Sequence, residues 1–286
     1  MYDIIIVGAG PAGITAGIYA KRAGANVLIL YSGQSNLEKT PEIENYYGFV
    51  DGIDGKVLYH NGIEQAKKLG IEVKNKEVLN IEKEEKIFKV KTEDKIHDAK
   101  AVIIATGSKK IRPNIKGISE FEGKGISYCA ICDGFFYRNK NVVVIGNGKF
   151  AINEANDLKN IANNVKILTN GVDLEEGIHP EYEIITTKIK EISGEQKVEY
   201  IELEDGSKLD VDGIFIAIGQ AGFSDFAKKL GILTDKNSIK VDENMKTNVD
   251  GLYCCGDATG GLLQICKSTY EGAQAGLAAA KYIKTK

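Results

Sequence analysis

Ile4-Ile5-Ile6-Val7-Gly8-Ala9-Gly10-Pro11-Ala12-Gly13 decides the fold. Four unbroken apolar residues make a strand buried on both faces of a parallel sheet. The Gly-x-Gly-x-x-Gly that follows turns the chain into a helix. Its first glycine makes the turn, its second lets backbone approach a pyrophosphate, and its third lets helix pack on strand. Ile14, Ala16, Ile18, Tyr19 and Ala23 recur at helical spacing up to Gly24, and Val27-Leu28-Ile29-Leu30 is the next strand. A phosphate belongs at the start of that helix, where free N–H groups and the helix dipole favour an anion. Gly8, Gly10, Pro11, Ala12 and Gly13 are therefore candidate cofactor-binding residues. The acidic residue expected after the second strand is absent. Tyr31-Ser32 stand there, so ribose recognition falls to Ser32, Gln34 or backbone groups.

The pattern occurs twice. Val142-Val143-Val144-Ile145 is a strand, Gly146-Asn147-Gly148-Lys149-Phe150-Ala151 a glycine turn, Ala151 through Leu158 a helix, and Val165-Lys166-Ile167-Leu168 a strand. Ala101 through Gly107 is a further buried strand, whose Ala-Thr-Gly end lets the chain pass close to a cofactor. Ile214 through Gly219 mirrors it. Leu252-Tyr253-Cys254-Cys255-Gly256-Asp257 delivers an aspartate to a turn, and a last helix runs from about Leu263 through Ile283. The expected fold class is α/β, with two Rossmann-like, three-layer dinucleotide-binding-type domains, the second inserted into the first. Residues 1–112 and 220–286 form one and 113–219 the other. Within the first, Val57, Leu58, Ile63, Ala66 and Leu69 are the expected inner face of a helix, and 71–98 reads as small antiparallel strands.

The chemistry points to Cys129-Ala130-Ile131-Cys132-Asp133-Gly134. Cysteines at this spacing close a small, easily reduced disulfide that exchanges with a partner. Asp133 can carry a proton to or from a thiolate beside it. Half of a zinc site is the alternative. No second Cys-x-x-Cys exists, and His60, His97 and His179 are scattered, so no metal is expected. A net charge of −3 argues against a nucleic-acid partner or an anionic membrane surface. No run approaches a membrane span. Five cysteines, an odd number, fit reduced thiols plus one working pair, as in a cytoplasmic protein.

Gly8 through Gly13, Ala105-Thr106-Gly107, the run Cys129 through Phe136 and Gly256-Asp257-Ala258, in this order, resemble the low-molecular-weight thioredoxin reductases. The resemblance implies a homodimer, with FAD in the domain built from both chain ends and the redox cysteines on the inserted one. It implies that Cys132 faces the flavin, that Cys129 attacks or releases thioredoxin, and that Asp133 is the proton donor. Asp257 would hold the ribityl chain. Gln34, Asn45 and Gln264 match positions that touch FAD, and Val78, Thr106, Gly107, Gly256 and Ile265 complete the implied cofactor set.

NADPH-dependent members carry His-Arg-Arg and a further arginine after the second strand of the inserted domain, which bind the 2′-phosphate. Thr169-Asn170-Gly171-Val172-Asp173-Leu174-Glu175-Glu176 stand here, with three acids and no arginine, and the helix that normally follows is missing. In this loss the chain resembles the ferredoxin-dependent flavin thioredoxin reductases. It has no iron–sulfur motif, so the cluster would come on a partner. Lys109, Lys110, Arg112 and Lys116 are candidates for docking an acidic ferredoxin, although an ordinary solvated face explains them equally well. Cys254, Cys255 and Cys266 read as small buried packing residues. The expected function is thioredoxin reduction with electrons from ferredoxin. The alternatives are an NAD(P)H-dependent reductase with an atypical pocket, a reductase of another dithiol, and a flavin-bearing redox sensor.

Overall fold

The N-terminal apolar run is a central strand in the computed structural model. The structure describes residues 1–285 except 41, 108–112, 129, 179, 220–222 and 236–237, and leaves aside the side chains of 39, 131, 132 and 223–225. The chain divides into two units, Met1–Lys109 with Gly222–Lys286, and Lys110–Ala221. The first unit opens with β1 (Tyr2–Val7), α1 (Pro11–Arg22), β2 (Val27–Tyr31), α2 (Gly55–Lys68), β3 (Glu72–Asn75), β4 (Val78–Glu84), β5 (Ile87–Thr92) and β6 (Ile96–Ile104). β1 lies between β2 and β6, parallel to both.

Two expectations are corrected here. Of the strands in 71–98, β4, β5 and β6 form antiparallel pairs, whereas β3 is a parallel edge strand beside β2. The cause is α2, a helical crossover that returns the chain in its original direction. On α2 itself the buried stripe is Tyr59, Ile63 and Ala66, while Val57 and Leu69 are exposed. Tyr59, Ile63 and Ala66 are spaced four and three apart on one face; Val57, two residues before Tyr59, points about 200° away from it.

The second unit contains α3 (Ile118–Phe121), β7 (Ile126–Ser127), α4 (Ala130–Asp133), β8 (Asn141–Ile145), α5 (Lys149–Leu158), β9 (Asn164–Leu168), β10 (Glu183–Ile185), β11 (Ile189–Ser193), β12 (Tyr200–Leu203), β13 (Lys208–Asp210) and β14 (Gly213–Ile216). Its parallel sheet has the order β10-β9-β8-β14-β7, and β11-β12-β13 form a separate antiparallel sheet. Among the described residues no helix joins β9 to its parallel neighbour β10. Ile145, Leu168 and Ile216 pack on one side of the parallel sheet and Val144, Ile167 and Phe215 on the other, so it is covered on both faces.

The chain then returns to the first unit through α6 (Phe223–Leu230), β15 (Thr234–Asp235), β16 (Ser238–Ile239), β17 (Leu252–Cys254) and α7 (Ile265–Lys284). β17 pairs in parallel with the end of β6, Leu252 beside Val102 and Cys254 beside Ile104. α7 lies against α1 with almost nothing between the backbones. A Cβ on Gly272 would stand 2.3 Å from the Ala12 carbonyl oxygen, and one on Gly276 the same distance from that of Ala16. Among the described residues no helix is long and apolar enough to cross a membrane.

This contact yields a first prediction. Gly276→Val should destabilise the protein by about 3 kcal/mol, because neither backbone can retreat. The exposed change Lys281→Gln should stay within about 0.5 kcal/mol. Thermal unfolding of both variants measures the difference, and equal midpoints would contradict the close packing.

Candidate functional site

The first glycine turn has the geometry a phosphate needs. Gly8 sits at φ +116°, and a Cβ there would lie 2.2 Å from the Ala105 carbonyl oxygen. A Cβ on Gly13 would lie 1.9 Å from the carbonyl oxygen of Gly8. Both positions therefore require glycine. Gly10 is different: among the described residues nothing lies within 4 Å of where its Cβ would stand. It is the N-cap of α1, has no side-chain cap, and is followed by Pro11 at the first helical position. Among the described residues no side chain caps the first turn of α1, which leaves its N–H groups to a ligand.

Other expected residues gather around this cradle. Ala105 leads into Thr106, whose buried hydroxyl oxygen has no hydrogen-bond partner among the described residues. Leaving such a group unpaired costs about 1–3 kcal/mol, so a ligand atom is its natural partner. Gly107 follows at φ +77°. Gly256, at φ +78°, brings its turn against α1: a Cβ there would stand 2.8 Å from that of Ala12. Asp257 follows on the same turn, half-buried. Asn45 Nδ2 donates to Gln264 Oε1 at 3.0 Å across 219 residues of chain, just before Ile265 opens α7. Ser32 and Gln34 follow β2, half-buried and exposed, and Val78 begins β4, buried. The open cradle and the orphaned Thr106 hydroxyl fit a dinucleotide such as FAD.

Sequence reading missed what fixes the Gly256 turn. Glu271 of α7, buried, accepts hydrogen bonds from Gly256 N and Thr259 Oγ1, both at 2.8 Å. Lys267 Nζ lies 3.2 Å from the same carboxylate oxygen. It also donates to the carbonyl oxygens of Gly256 at 2.9 Å and Gly260 at 2.5 Å, and to Thr259 Oγ1 at 2.8 Å. The pair clamps the turn that carries Asp257. Its signal was present in the sequence: Glu271 falls on the buried stripe with Ser268, Gly272 and Ala275, where a charge needs a partner. Cys254 and Cys255 are buried, as expected. Burial, with the nearby Glu271 carboxylate, pushes both thiols well above the ordinary range, so neither is a ready nucleophile. Cys266 is exposed, contrary to expectation, because it faces away from the stripe that begins at Ser268.

In the second unit, Cys129 lies outside the described residues, as does the Cys132 side chain. The frame around them is visible. Ser127 Oγ donates to Asp133 Oδ2 at 2.6 Å, so β7 holds the carboxylate at the end of α4. At the other end Ala130 N–H donates to Glu154 Oε2 at 2.7 Å. Glu154 is buried on α5 among Phe150, Ala151, Ala155 and Leu158. Its position on that apolar stripe was the overlooked clue. Phe135 and Phe136, just past the motif, are exposed, and Arg138 lies 5.3 Å over the Phe135 ring. Lys116 pairs with Glu191, while Lys109, Lys110 and Arg112 lie outside the described residues, as does His179. Among the described residues no cluster of three His, Cys, Asp or Glu could hold a metal.

A cradle shaped for a dinucleotide, together with a dithiol motif flanked by a fixed carboxylate, is the equipment of a disulfide oxidoreductase that works with a nucleotide cofactor. Residues 2–280 match the family model described as pyridine nucleotide-disulphide oxidoreductase. Thioredoxin reductase of Listeria monocytogenes is 34% identical, with 99% of this chain and 94% of that protein covered. The solved structure of an atypical thioredoxin reductase from Desulfovibrio vulgaris Hildenborough is 36% identical, with a TM-score of 0.94 over 100% of this chain and 99% of that one. A ferredoxin-flavin thioredoxin reductase from Clostridium acetobutylicum is 35% identical, with a TM-score of 0.77 and the same coverage of each chain. The chain belongs to the pyridine nucleotide-disulphide oxidoreductase family, as a flavin disulfide oxidoreductase of the thioredoxin reductase type. Thioredoxin reductases are FAD-dependent.

The two glycines on either side of the cradle separate binding from folding. Gly10→Ala places a methyl in free space and keeps a φ of −71° that alanine accepts. Its thermal midpoint without cofactor should match the parent's, while the flavin absorbance retained on purification should fall. Gly13→Ala should fail to fold. A Gly10→Ala protein with full flavin content would rule out a phosphate at this turn.

Proposed function

We propose that this enzyme reduces thioredoxin through a Cys129–Cys132 disulfide, with electrons supplied to its FAD by ferredoxin. Residues 1–112 and 220–286 would hold the cofactor, through the Gly8–Gly13 turn, Thr106 and Asp257. Residues 113–219 would carry the redox pair. When bound, FAD supplies the ability to accept electrons singly and pass them on as a pair. The chain's own residues do the rest. Reduction of the disulfide leaves two thiols, and Asp133, oriented by Ser127, delivers or takes the proton as they open. Cys129 as thiolate attacks the thioredoxin disulfide and forms a mixed disulfide. Cys132 then attacks Cys129, releases reduced thioredoxin and restores the Cys129–Cys132 bond. The observation that carries this reading is the Ser127–Asp133 hydrogen bond, which fixes an acid–base group one residue from Cys132. The exposed Phe135 and Phe136 rings favour a protein substrate over a small dithiol.

The donor assignment rests on the stretch after β9. Thr169 through Glu176 contains no arginine, and Arg138 is the sole arginine after Pro113. A dianionic 2′-phosphate would meet acids there instead of a bidentate clamp. The likeness to a ferredoxin-flavin thioredoxin reductase supports the same donor. Tyr19 on α1 and Tyr270 and Leu277 on α7 are exposed apolar groups on adjacent helices, which favours a homodimer. A cytoplasmic location fits a working dithiol.

Anaerobic mixing of the purified flavoprotein with reduced ferredoxin, NADPH and NADH in parallel tests the donor. Ferredoxin should bleach the flavin rapidly and the nucleotides should not; rapid bleaching by NADPH would instead favour the nicotinamide-dependent reading. Cys132→Ser should abolish thioredoxin reduction and keep its flavin. Asp133→Asn should slow turnover by a factor of about 10² or more, and an unchanged rate would remove Asp133 from the mechanism.

A further inference from the structure

The two glycine turns of this chain differ in what stands before them. Gly148 holds in the second turn the place of Gly10 in the first: it is the N-cap of its helix, in extended backbone, with no side-chain cap. Gly146 repeats the role of Gly8, since a Cβ there would lie 2.1 Å from the Ala217 carbonyl oxygen. In front of Gly10 no described residue stands within 4 Å of where a Cβ would be. In front of Gly148 stands the carboxylate of Glu175, its oxygens 2.6 and 2.9 Å from where a Cβ would be.

The backbone holds Glu175 in this place. Its N–H donates to the Asn147 carbonyl oxygen at 3.0 Å, and Asn147 Nδ2 donates to the Asp173 carbonyl oxygen at 2.9 Å. Further on, Ile178 N–H donates to the Glu175 carbonyl oxygen at 3.2 Å. Asn147 ties the acidic loop to the glycine turn on both sides of Leu174. The result is an anion at a helix N-terminus, where a dinucleotide would place its pyrophosphate.

We infer that Glu175 is a specificity-determining residue whose carboxylate fills the phosphate seat of the second unit, so that a nicotinamide dinucleotide must displace it to bind. This deepens the proposed donor assignment and rests on it. The missing arginines account for discrimination against the 2′-phosphate alone. Glu175 acts on the pyrophosphate, which NADH and NADPH share, and so disfavours both.

The test measures binding of ADP and of NADH to the FAD-loaded protein, in which the first turn is already filled. Isothermal titration would compare the parent with Glu175→Gln, which keeps the shape and removes the charge, and Glu175→Gly, which clears the seat. Flavin content and thermal midpoint confirm that each variant is folded. Both variants should bind ADP at least about tenfold more tightly than the parent, a difference of about 1.4 kcal/mol, with Glu175→Gly the tighter. Equal affinity in all three proteins, whether weak or strong, would overturn the inference. The donor assignment fails on a different result, reduction of the parent's flavin by NADH or NADPH, so the two failures are distinguishable.

Discussion

The close approach of the Ala105 carbonyl to Gly8 is the contact on which the first unit depends. At 2.2 Å from where a side chain would begin, it leaves no room for any residue but glycine. It sets the end of β6 against the turn after β1, and so places the Thr106 hydroxyl near the start of α1. The same approach recurs between Ala217 and Gly146, which sets the end of β14 against the turn after β8. Each unit is a strand pair whose neighbouring ends converge on a helix N-terminus. Backbone proximity builds the site, and side chains then decide what occupies it.

Much of this was legible because it is written in short-range patterns. The apolar runs at Ile4–Val7 and Val142–Ile145, the glycine spacings and the helical periodicity after them report local geometry, and the strands and helices formed there. The face of α2 was misjudged because Val57 and Leu69 are apolar, and composition carries no direction when Tyr59 can supply the same burial. The parallel pairing of Glu72–Asn75 was hidden for a related reason. Alternation marks a half-buried strand but does not say which neighbour it will find.

The carboxylates were the harder omission. Glu154, Glu175 and Glu271 each meet backbone that a turn or helix start has exposed. Glu154 takes the N–H of Ala130, Glu271 takes that of Gly256, and Glu175 stands over Gly148. Their partners lie 24, 15 and 27 residues away, beyond the reach of helical or strand periodicity. Glu154 and Glu271 still left a trace, since each is an acid on a largely apolar buried helix stripe. Glu175 left none, being one of three acids in an exposed loop.

The three acids answer one physical demand. A helix start or a turn exposes backbone donors and a partial positive charge that something must meet. In a nucleotide-binding fold the ligand meets that demand. At α1, among the described residues, the space before Gly10 is open and the Thr106 hydroxyl has no partner, an arrangement that suits an anionic cofactor. At α5 the chain brings its own carboxylate to the same place. Replacing a ligand by a tethered anion removes the entropic cost of recruiting one, which is the physical basis of the role inferred for Glu175.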